Sequence, residues 1–288
     1  MSDPFALDTA RVRAAFDAAA ASYDEAAVLQ AEVRGRLLER LDEVRLRPGT
    51  ILDAGCGTGH AARALLERYR QARVIALDLA PGMLEATRKQ RPRFRRLDLV
   101  CANAESMPIP ARSVELVFSN LMLQWCNDPD RAFAEFHRVL APGGLLTFTT
   151  FGPDTLKELR AAWGAADGAT HVSRFVDMHD LGDALVRAGF VEPVMDVEHF
   201  TLTYDSVRAL MRELKAMGAH NATAGRSRGL TGRGRLAAVE AAYERLRADG
   251  RLPSTWEVIY GHAWATGSGP APDGERLVPI EQIGRRSP

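Results

Sequence analysis

Cysteine is scarce in this 288-residue sequence. Cys56, Cys101 and Cys126 are the three, and no two of them form a CxxC pair. That excludes a disulfide framework and argues against a structural zinc; it fits a reducing cytoplasm. Charge of one sign is missing as well. Lys plus Arg and Asp plus Glu both number 37, so bulk electrostatics draws the chain neither to nucleic acid nor to an anionic membrane. No apolar run approaches the length of a membrane span. The first residues lack a basic stretch followed by an apolar one, so they do not read as a secretory signal. No internal repeat is visible. What remains, at 46% hydrophobic and 26% charged, is a soluble chain with enough apolar residues for a large core.

The hydrophobic pattern divides the sequence. Residues 9–43 read as helical, with an interruption near Ser22, Tyr23 and Asp24 where Ser22 is placed to cap a second helix. Short apolar strands then alternate with helices. Strands are expected at 50–54, 73–78, 97–101, 114–119 and 145–151, with helices at about 60–69, 81–90 and 129–139. Such alternation implies a parallel sheet covered on both faces. Beyond Phe151 the pattern changes. Helices are expected at 153–163, 177–188, 205–217 and 234–249, and two late strands at 194–203 and 254–265 suit an antiparallel pair at the sheet edge. The organisation this gives is an N-terminal helical lid over 1–48, an α/β domain over 49–266 with a helical insertion at about 205–250, and a flexible Gly- and Pro-rich tail over 267–288.

The sharpest motif follows the first strand. Asp53 leads into Gly55, Gly57 and Gly59, a GxGxG turn opening a helix. Dinucleotide sites want GxGxxG, and His60 stands where the third glycine or alanine belongs. An acid beside the loop repels a pyrophosphate but suits a cationic ligand such as S-adenosylmethionine, with its sulfonium and ammonium groups. Asp78, at the end of the second strand, is placed to accept hydrogen bonds from ribose hydroxyls, and Leu79 and Met83 are apolar enough to flank an adenine. The third strand leads to Asn103, Ala104 and Glu105, and the fourth to Asn120.

These four spaced segments together resemble the class I S-adenosylmethionine-dependent methyltransferases over about residues 15–150. The resemblance implies a Rossmann-like α/β sheet, mostly parallel with an antiparallel edge, carrying N-terminal helices and helical insertions as a lid. It implies that Gly55, Gly57 and Gly59 line the methionine part of the donor with Asp53 supporting the loop. Asp78 then holds the ribose, Ala104 and Glu105 lie near the adenine, and Asn120 lies near the sulfonium. The family often carries Asp where this chain has Asn103, whose carbonyl oxygen can still face the adenine amino group. Tyr23 falls in the segment that folds over the donor in such enzymes, which places it against the donor methyl or the acceptor.

Further segments extend the resemblance to about residue 265: 119–126, 151–163, 175–182, 202–204 and 229–232. Together they resemble the malonyl-acyl carrier protein O-methyltransferases of biotin synthesis. The implied reaction is methylation of the free carboxylate of a malonyl thioester. A carboxylate is ionised at neutral pH and needs no general base, which agrees with the lack of an obvious His–acid pair. Two alternatives stay open from the residues. One is a methyltransferase for another small acid such as trans-aconitate; the other is a non-catalytic methyltransferase-like assembly factor.

Two expectations concern the acceptor. Arg160 borders the apolar face formed by Leu156, Leu159 and Trp163 on a helix expected to start at Asp154, which positions it to grip the acceptor carboxylate. Acyl carrier proteins are acidic, and two basic stretches offer docking surfaces. The first contains Lys215, Arg226, Arg228, Arg233 and Arg235; the second is the run Arg88, Lys89, Arg91, Arg93, Arg95 and Arg96.

Overall fold

A computed structural model describes residues 5–266, apart from Phe94, residues 167–170, His220 and residues 227–231. The expected tail over 267–288 therefore lies outside the described residues. Three helices open the chain: α1 (Thr9–Ala19), α2 (Tyr23–Ala26) and α3 (Val28–Arg40). An alternating stretch follows, of β1 (Thr50–Ala54), α4 (His60–Arg68), β2 (Arg73–Asp78), α5 (Pro81–Lys89), β3 (Arg96–Cys101), β4 (Val114–Asn120), α6 (Pro129–Val139) and β5 (Leu140–Phe151). The last part comprises α7 (Lys157–Gly164), α8 (Met178–Arg187), β6 (Phe190–Tyr204), α9 (Val207–Ala216), α10 (Arg233–Glu244) and β7 (Leu252–Ala265).

The strands form one seven-stranded sheet in the order β3-β2-β1-β4-β5-β7-β6. β1 to β5 are parallel, and β7 pairs antiparallel with both β5 and β6. The doubly wound sheet with an antiparallel edge is thus the one the sequence pattern implies. In β1, Ile51 and Leu52 point to opposite faces, and each is fully buried in a different apolar cluster. Burial on both faces is why this strand reads as a continuous apolar run. Helix starts are fixed locally: Asp8, Asp128 and Ser206 each accept a hydrogen bond from a backbone N–H in the first turn of α1, α6 and α9.

Ser22 departs from its expected role. It precedes α2 without a capping bond, and its hydroxyl donates instead to the carbonyls of Ala19 and Ala216. That second bond ties the N-terminal helices to the end of α9. The tie is repeated where Leu7 bridges to Thr223 and where the Asp8 N–H donates to Ala222. The N-terminal segment and the late insertion are therefore one roof over the carboxyl edge of the sheet. β6 and β7 project past that edge, since Phe151 at the end of β5 pairs with Val258, leaving the start of β7 beyond it. Among the described residues no helix is long and apolar enough to cross a membrane.

Candidate functional site

The turn after β1 is built by two backbone bonds, from the N–H groups of Gly55 and Cys56 to the carbonyl of Leu77. They bend the chain against the end of β2 and require the left-handed backbone of Gly55 (φ 78°) and Gly57 (φ 53°). The two glycines face different surroundings. A side chain at Gly55 would start 2.3 Å from Met122 Cγ, inside packed protein; at Gly57 it would meet only the Tyr23 ring, at 4.0 Å. Gly57 borders open space, and that space is a cavity at the carboxyl ends of the strands.

Of the residues assigned to the donor, Gly55, Gly57, Asp78, Leu79, Met83, Asn103, Ala104 and Asn120 line this cavity, as does Tyr23. The carboxyl ends of β1, β2, β3 and β4 bring them together, as an open α/β sheet does at its strand ends. Asp78 accepts hydrogen bonds from the Gly57 N–H (2.9 Å) and the Ala80 N–H (2.8 Å), one on each oxygen. Each oxygen keeps a lone pair for a ligand hydroxyl. Burial pushes the Asp78 carboxyl up to about 6 against these bonds, which favour its charge.

Asp53, Gly59 and Glu105 do not line the cavity. Asp53 is 1% exposed beneath the turn, with its Oδ2 lacking a hydrogen-bond partner, and burial pushes its carboxyl up to about 7. Gly59 serves packing, because a Cβ there would lie 2.7 Å from Thr87 Cγ2. Glu105 stands behind the wall. Its carboxylate accepts from Asn103 Nδ2 (3.0 Å) and the Asp128 N–H (2.8 Å), and its own N–H donates to Asn103 Oδ1 (2.9 Å). That last bond occupies the carbonyl oxygen expected to face an adenine, so Glu105 orients Asn103 rather than meeting a ligand. Asn120 is held too: its Nδ2 donates to the Gln30 carbonyl at 3.2 Å and its Oδ1 accepts from Thr149 Oγ1 at 2.9 Å.

The roof is aromatic. Phe16 stacks edge-on against Trp125 at 4.9 Å and lies 6.5 Å from the Tyr23 ring. The Tyr23 hydroxyl has no hydrogen-bond partner among the described residues. Burial first, then the Asp78 charge, pushes it up to about 12, so at neutral pH it is a proton-bearing donor and not a base. Next to it, Asp24 latches α2 to the glycine turn, accepting from Thr58 Oγ1 at 2.6 Å and lying 3.1 Å from His60 Nε2.

Arg160 is absent from the cavity. The helix starts at Lys157, not Asp154, after Leu156 in a left-handed conformation (φ 57°). The turn before it leaves the carbonyls of Pro153 and Thr155 outside helical pairing, and the Arg160 guanidinium donates to both, at 3.0 and 2.9 Å. The basic run at 88–96 is also displaced from the cavity. Arg96 opens β3 in register with Arg73 and, through it, with Thr50, so the run lies at the amino edge of the sheet. Arg226, Arg233 and Arg235 follow the roof segment that carries Met217 and Ala219 into the cavity, while Arg228 lies outside the described residues.

Trp125, from the 119–126 segment of the resemblance, and Met217 also line the cavity, as do Gln30, Phe16 and Trp256, which were not singled out from the sequence. Gln30 carried a signal, as a polar residue next to the buried stripe Leu29, Val33 and Leu37 of α3. Arg34, one turn beyond Gln30, is half-buried and sets its positive charge against Tyr23, Asp24 and Asp53. Phe16 and Trp256 arrive from distant segments with no local mark.

Comparison with known proteins agrees with this arrangement. Residues 52–148 match a family described as a methyltransferase domain. The chain is 58% identical to a malonyl-[acyl-carrier protein] O-methyltransferase of Methylovorus sp., covering 97% of this chain and 96% of the relative. It is 60% identical to a protein of the same name from Laribacter hongkongensis, covering 94% of each. Among solved structures, the YcgJ protein from Bacillus subtilis superposes with a TM-score of 0.58 at 15% identity, covering 83% of this chain and 100% of that one. At that distance the likeness speaks for the fold alone.

Proposed function

The chain belongs to the malonyl-[acyl-carrier protein] O-methyltransferase family, and from that membership we infer that it methylates the free carboxylate of malonyl-acyl carrier protein with S-adenosylmethionine as donor. The methyl ester formed enters pimeloyl synthesis for biotin. The observation that carries this reading is the end-to-end likeness, which takes in both the strand-end cavity and the segments that roof it.

The cavity fits the donor. Gln30 Oε1, on a residue of the cavity wall, is a buried acceptor without a partner, and Asp78 offers two free lone pairs. Such a surface suits a ligand rich in N–H and O–H donors and positive charge. When bound, S-adenosylmethionine supplies a methyl group on a positively charged sulfur, and transfer to a carboxylate oxygen leaves that bond's electron pair on sulfur with no proton moved. In this reading Asp78 holds the ribose hydroxyls, Leu79, Met83 and Ala104 flank the base, and Asn103 is held in place by Glu105. Gly55, Gly57 and Gly59 shape the turn, Asp53 supports it from below, and Asn120 braces α3 against β5 near the reacting end. Tyr23 closes the roof and presents a hydroxyl donor. Phe16, Trp125, Phe151 and Trp256 exclude water, which sharpens every electrostatic contact inside. The helices of 1–48 and the insertion at 205–250 act together as the lid.

For the carrier protein we propose the roof-side basic stretch, Arg226, Arg233 and Arg235 with Arg228, as the docking surface. The 88–96 run is set aside because it faces away from the cavity. The reaction is tested by mass spectrometry of malonyl-acyl carrier protein after incubation with enzyme and donor: one added methyl group is expected, and none with trans-aconitate offered instead. Docking is tested by reversing Arg226 and Arg233 to Glu, which should raise KM for the carrier-bound acceptor, most steeply at low salt. An unchanged KM would dismiss the patch.

A further inference from the structure

The strand-end cavity continues into a second one. Gln124, Trp125, Phe151, Ala219 and Trp256 wall both. Its remaining walls are mainly apolar, including Leu156 and Leu159 around the start of α7, Phe175, and Leu214 of α9. No lysine, arginine or acid lines it among the described residues. Its polar side chains are mostly committed: His171 stacks on the Trp163 ring at 3.7 Å, and Asn221 Oδ1 accepts from the Thr223 N–H and hydroxyl. Gln124 donates to the Leu121 carbonyl (2.6 Å) and accepts from Thr150 Oγ1 (3.3 Å). One residue shared by both cavities, Trp256, carries an uncommitted polar group. Trp256 is 2% exposed, and its indole Nε1 is buried without a hydrogen-bond partner. A buried N–H left unpaired is unfavourable and is seldom kept without a use.

Resting on the reaction proposed above, we infer that the second cavity receives the malonyl end of the acceptor and that the Trp256 N–H donates a hydrogen bond to its carboxylate. The physical case is one of balance. An arginine would bind a carboxylate more tightly, but as an ion pair that draws charge from the oxygen that must attack. Where the donor itself is a cation, the counter-charge is already present, and a neutral N–H suffices to fix the carboxylate plane. One oxygen is held by Trp256 and the other faces the junction with the donor cavity. The apolar walls accept the carbon chain and thioester. A second carboxylate on the same acceptor would be buried without a partner, so polyacids are rejected.

Trp256→Phe removes the N–H and keeps a ring against Phe151, whose centroid lies 5.2 Å away. Malonyl-acyl carrier protein kinetics are compared with inhibition by acetyl-acyl carrier protein, which has the same thioester and no carboxyl group. The expected result is a rise of roughly tenfold or more in KM for the malonyl substrate, with the inhibition constant of the acetyl form and the affinity for S-adenosylhomocysteine unchanged. Equal weakening of both acyl forms would overturn the hydrogen bond, since the ring would then only shape the cavity. Leu214→Trp, which fills the second cavity, should abolish malonyl turnover while leaving S-adenosylhomocysteine binding intact; full turnover would overturn the cavity assignment. Should Trp256→Phe fail to fold, the indole N–H resonances of the wild-type protein decide. The Trp256 signal must shift on adding malonyl but not acetyl carrier protein in the presence of S-adenosylhomocysteine, and a static signal overturns the inference. Wild-type protein that methylates no malonyl-acyl carrier protein would instead overturn the reaction itself.

Discussion

The two cavities share a wall and differ in what they are made of. The strand-end cavity owes its shape to backbone, a left-handed glycine turn and four strand ends, and its electrostatics to the buried acids Asp53 and Asp78. The second cavity is walled by side chains from segments far apart in the chain and carries no acid, lysine or arginine among the described residues. In the reading proposed above, one surface holds a cation by charge and hydrogen bonds, and the other holds an acyl chain by shape, with the carboxylate at the junction. A site for methyl transfer between a cationic donor and an anionic acceptor needs such an asymmetry, because two strongly charged pockets side by side would each stabilise the reactants apart.

The largest effect should come from the packed side of the glycine turn. Gly55→Ala puts a Cβ against the stem of Met122 in a left-handed backbone. Overpacking costs about 1–3 kcal/mol, and left-handed strain about 1–2 kcal/mol more. Urea denaturation should show the loss, with donor binding abolished. Gly57→Ala carries the strain without the clash, so it should keep most of the stability while weakening the donor. Equal stability losses in the two variants would mean that Gly57 is not on the ligand side.

Next comes Asp78. Losing its charge-assisted bonds costs about 1.5–3 kcal/mol, so Asp78→Ala should weaken S-adenosylmethionine roughly tenfold to a hundredfold by titration calorimetry. The malonyl substrate's own affinity should move far less, which sharpens the division between the cavities. The same acids set a pH dependence. Both are raised above the ordinary Asp value, to about 7 for Asp53 and about 6 for Asp78, so their contribution to stability is present below pH 4 and lost as pH rises through 6 to 7. Donor binding runs the other way, since it needs the carboxylates ionised. Affinity should fall as pH drops from 8 to 5, and a flat profile would remove both acids from the donor site.

How much of this was legible follows from the same division. The strand-end cavity was readable because its parts are local: an acid, a glycine turn and a helix start within one short stretch, repeated at successive strand ends. Even there, Glu105 was misplaced, because its bonds to Asn103 and Asp128 depend on how the β3–β4 segment meets the start of α6. The second cavity was readable only in part: Leu156 and Leu159, expected as an apolar face on the acceptor side, do line it, but its other walls were not foreseen. Trp256 reaches it only because β7 runs antiparallel and overshoots the sheet edge, and Leu214 only because α9 folds back over β6. No spacing in the sequence records either fact.

Tyr23 tests the roof where the cavities are closed. Tyr23→Phe keeps the ring near Phe16 and removes a donor with no protein partner among the described residues. A neutral hydrogen bond contributes about 0.5–1.5 kcal/mol, so kcat should fall by up to roughly tenfold with donor affinity unchanged. Because the hydroxyl is held protonated up to about 12, the loss should not vary between pH 7 and 9. A loss that grows with pH would make Tyr23 a base.

The smallest catalytic effect is expected at Arg160, and it bears on why the acceptor side carries no cation. A helix beginning at Asp154 would have turned this arginine toward an apolar pocket. The chain instead stays non-helical through Leu156, pinned to β7 by bonds from the Gly152 N–H to the Glu257 carbonyl (2.9 Å) and from the Leu156 N–H to the Thr255 carbonyl (2.7 Å). That pinning strands the carbonyls of Pro153 and Thr155, and the guanidinium of Arg160 satisfies both. Its Nη1 and Nη2 groups each hold the backbone of the turn that carries Leu156 to the second cavity. Arg160→Ala should therefore lower stability by about 1–3 kcal/mol and leave kcat close to the wild-type value at a temperature where the variant is folded. Arg160→Lys, a point donor without the fork, should recover part of the stability. If Arg160→Ala stayed fully stable but lost malonyl turnover, the arginine would have to leave the turn and meet the substrate, and the acceptor pocket would carry a cation after all.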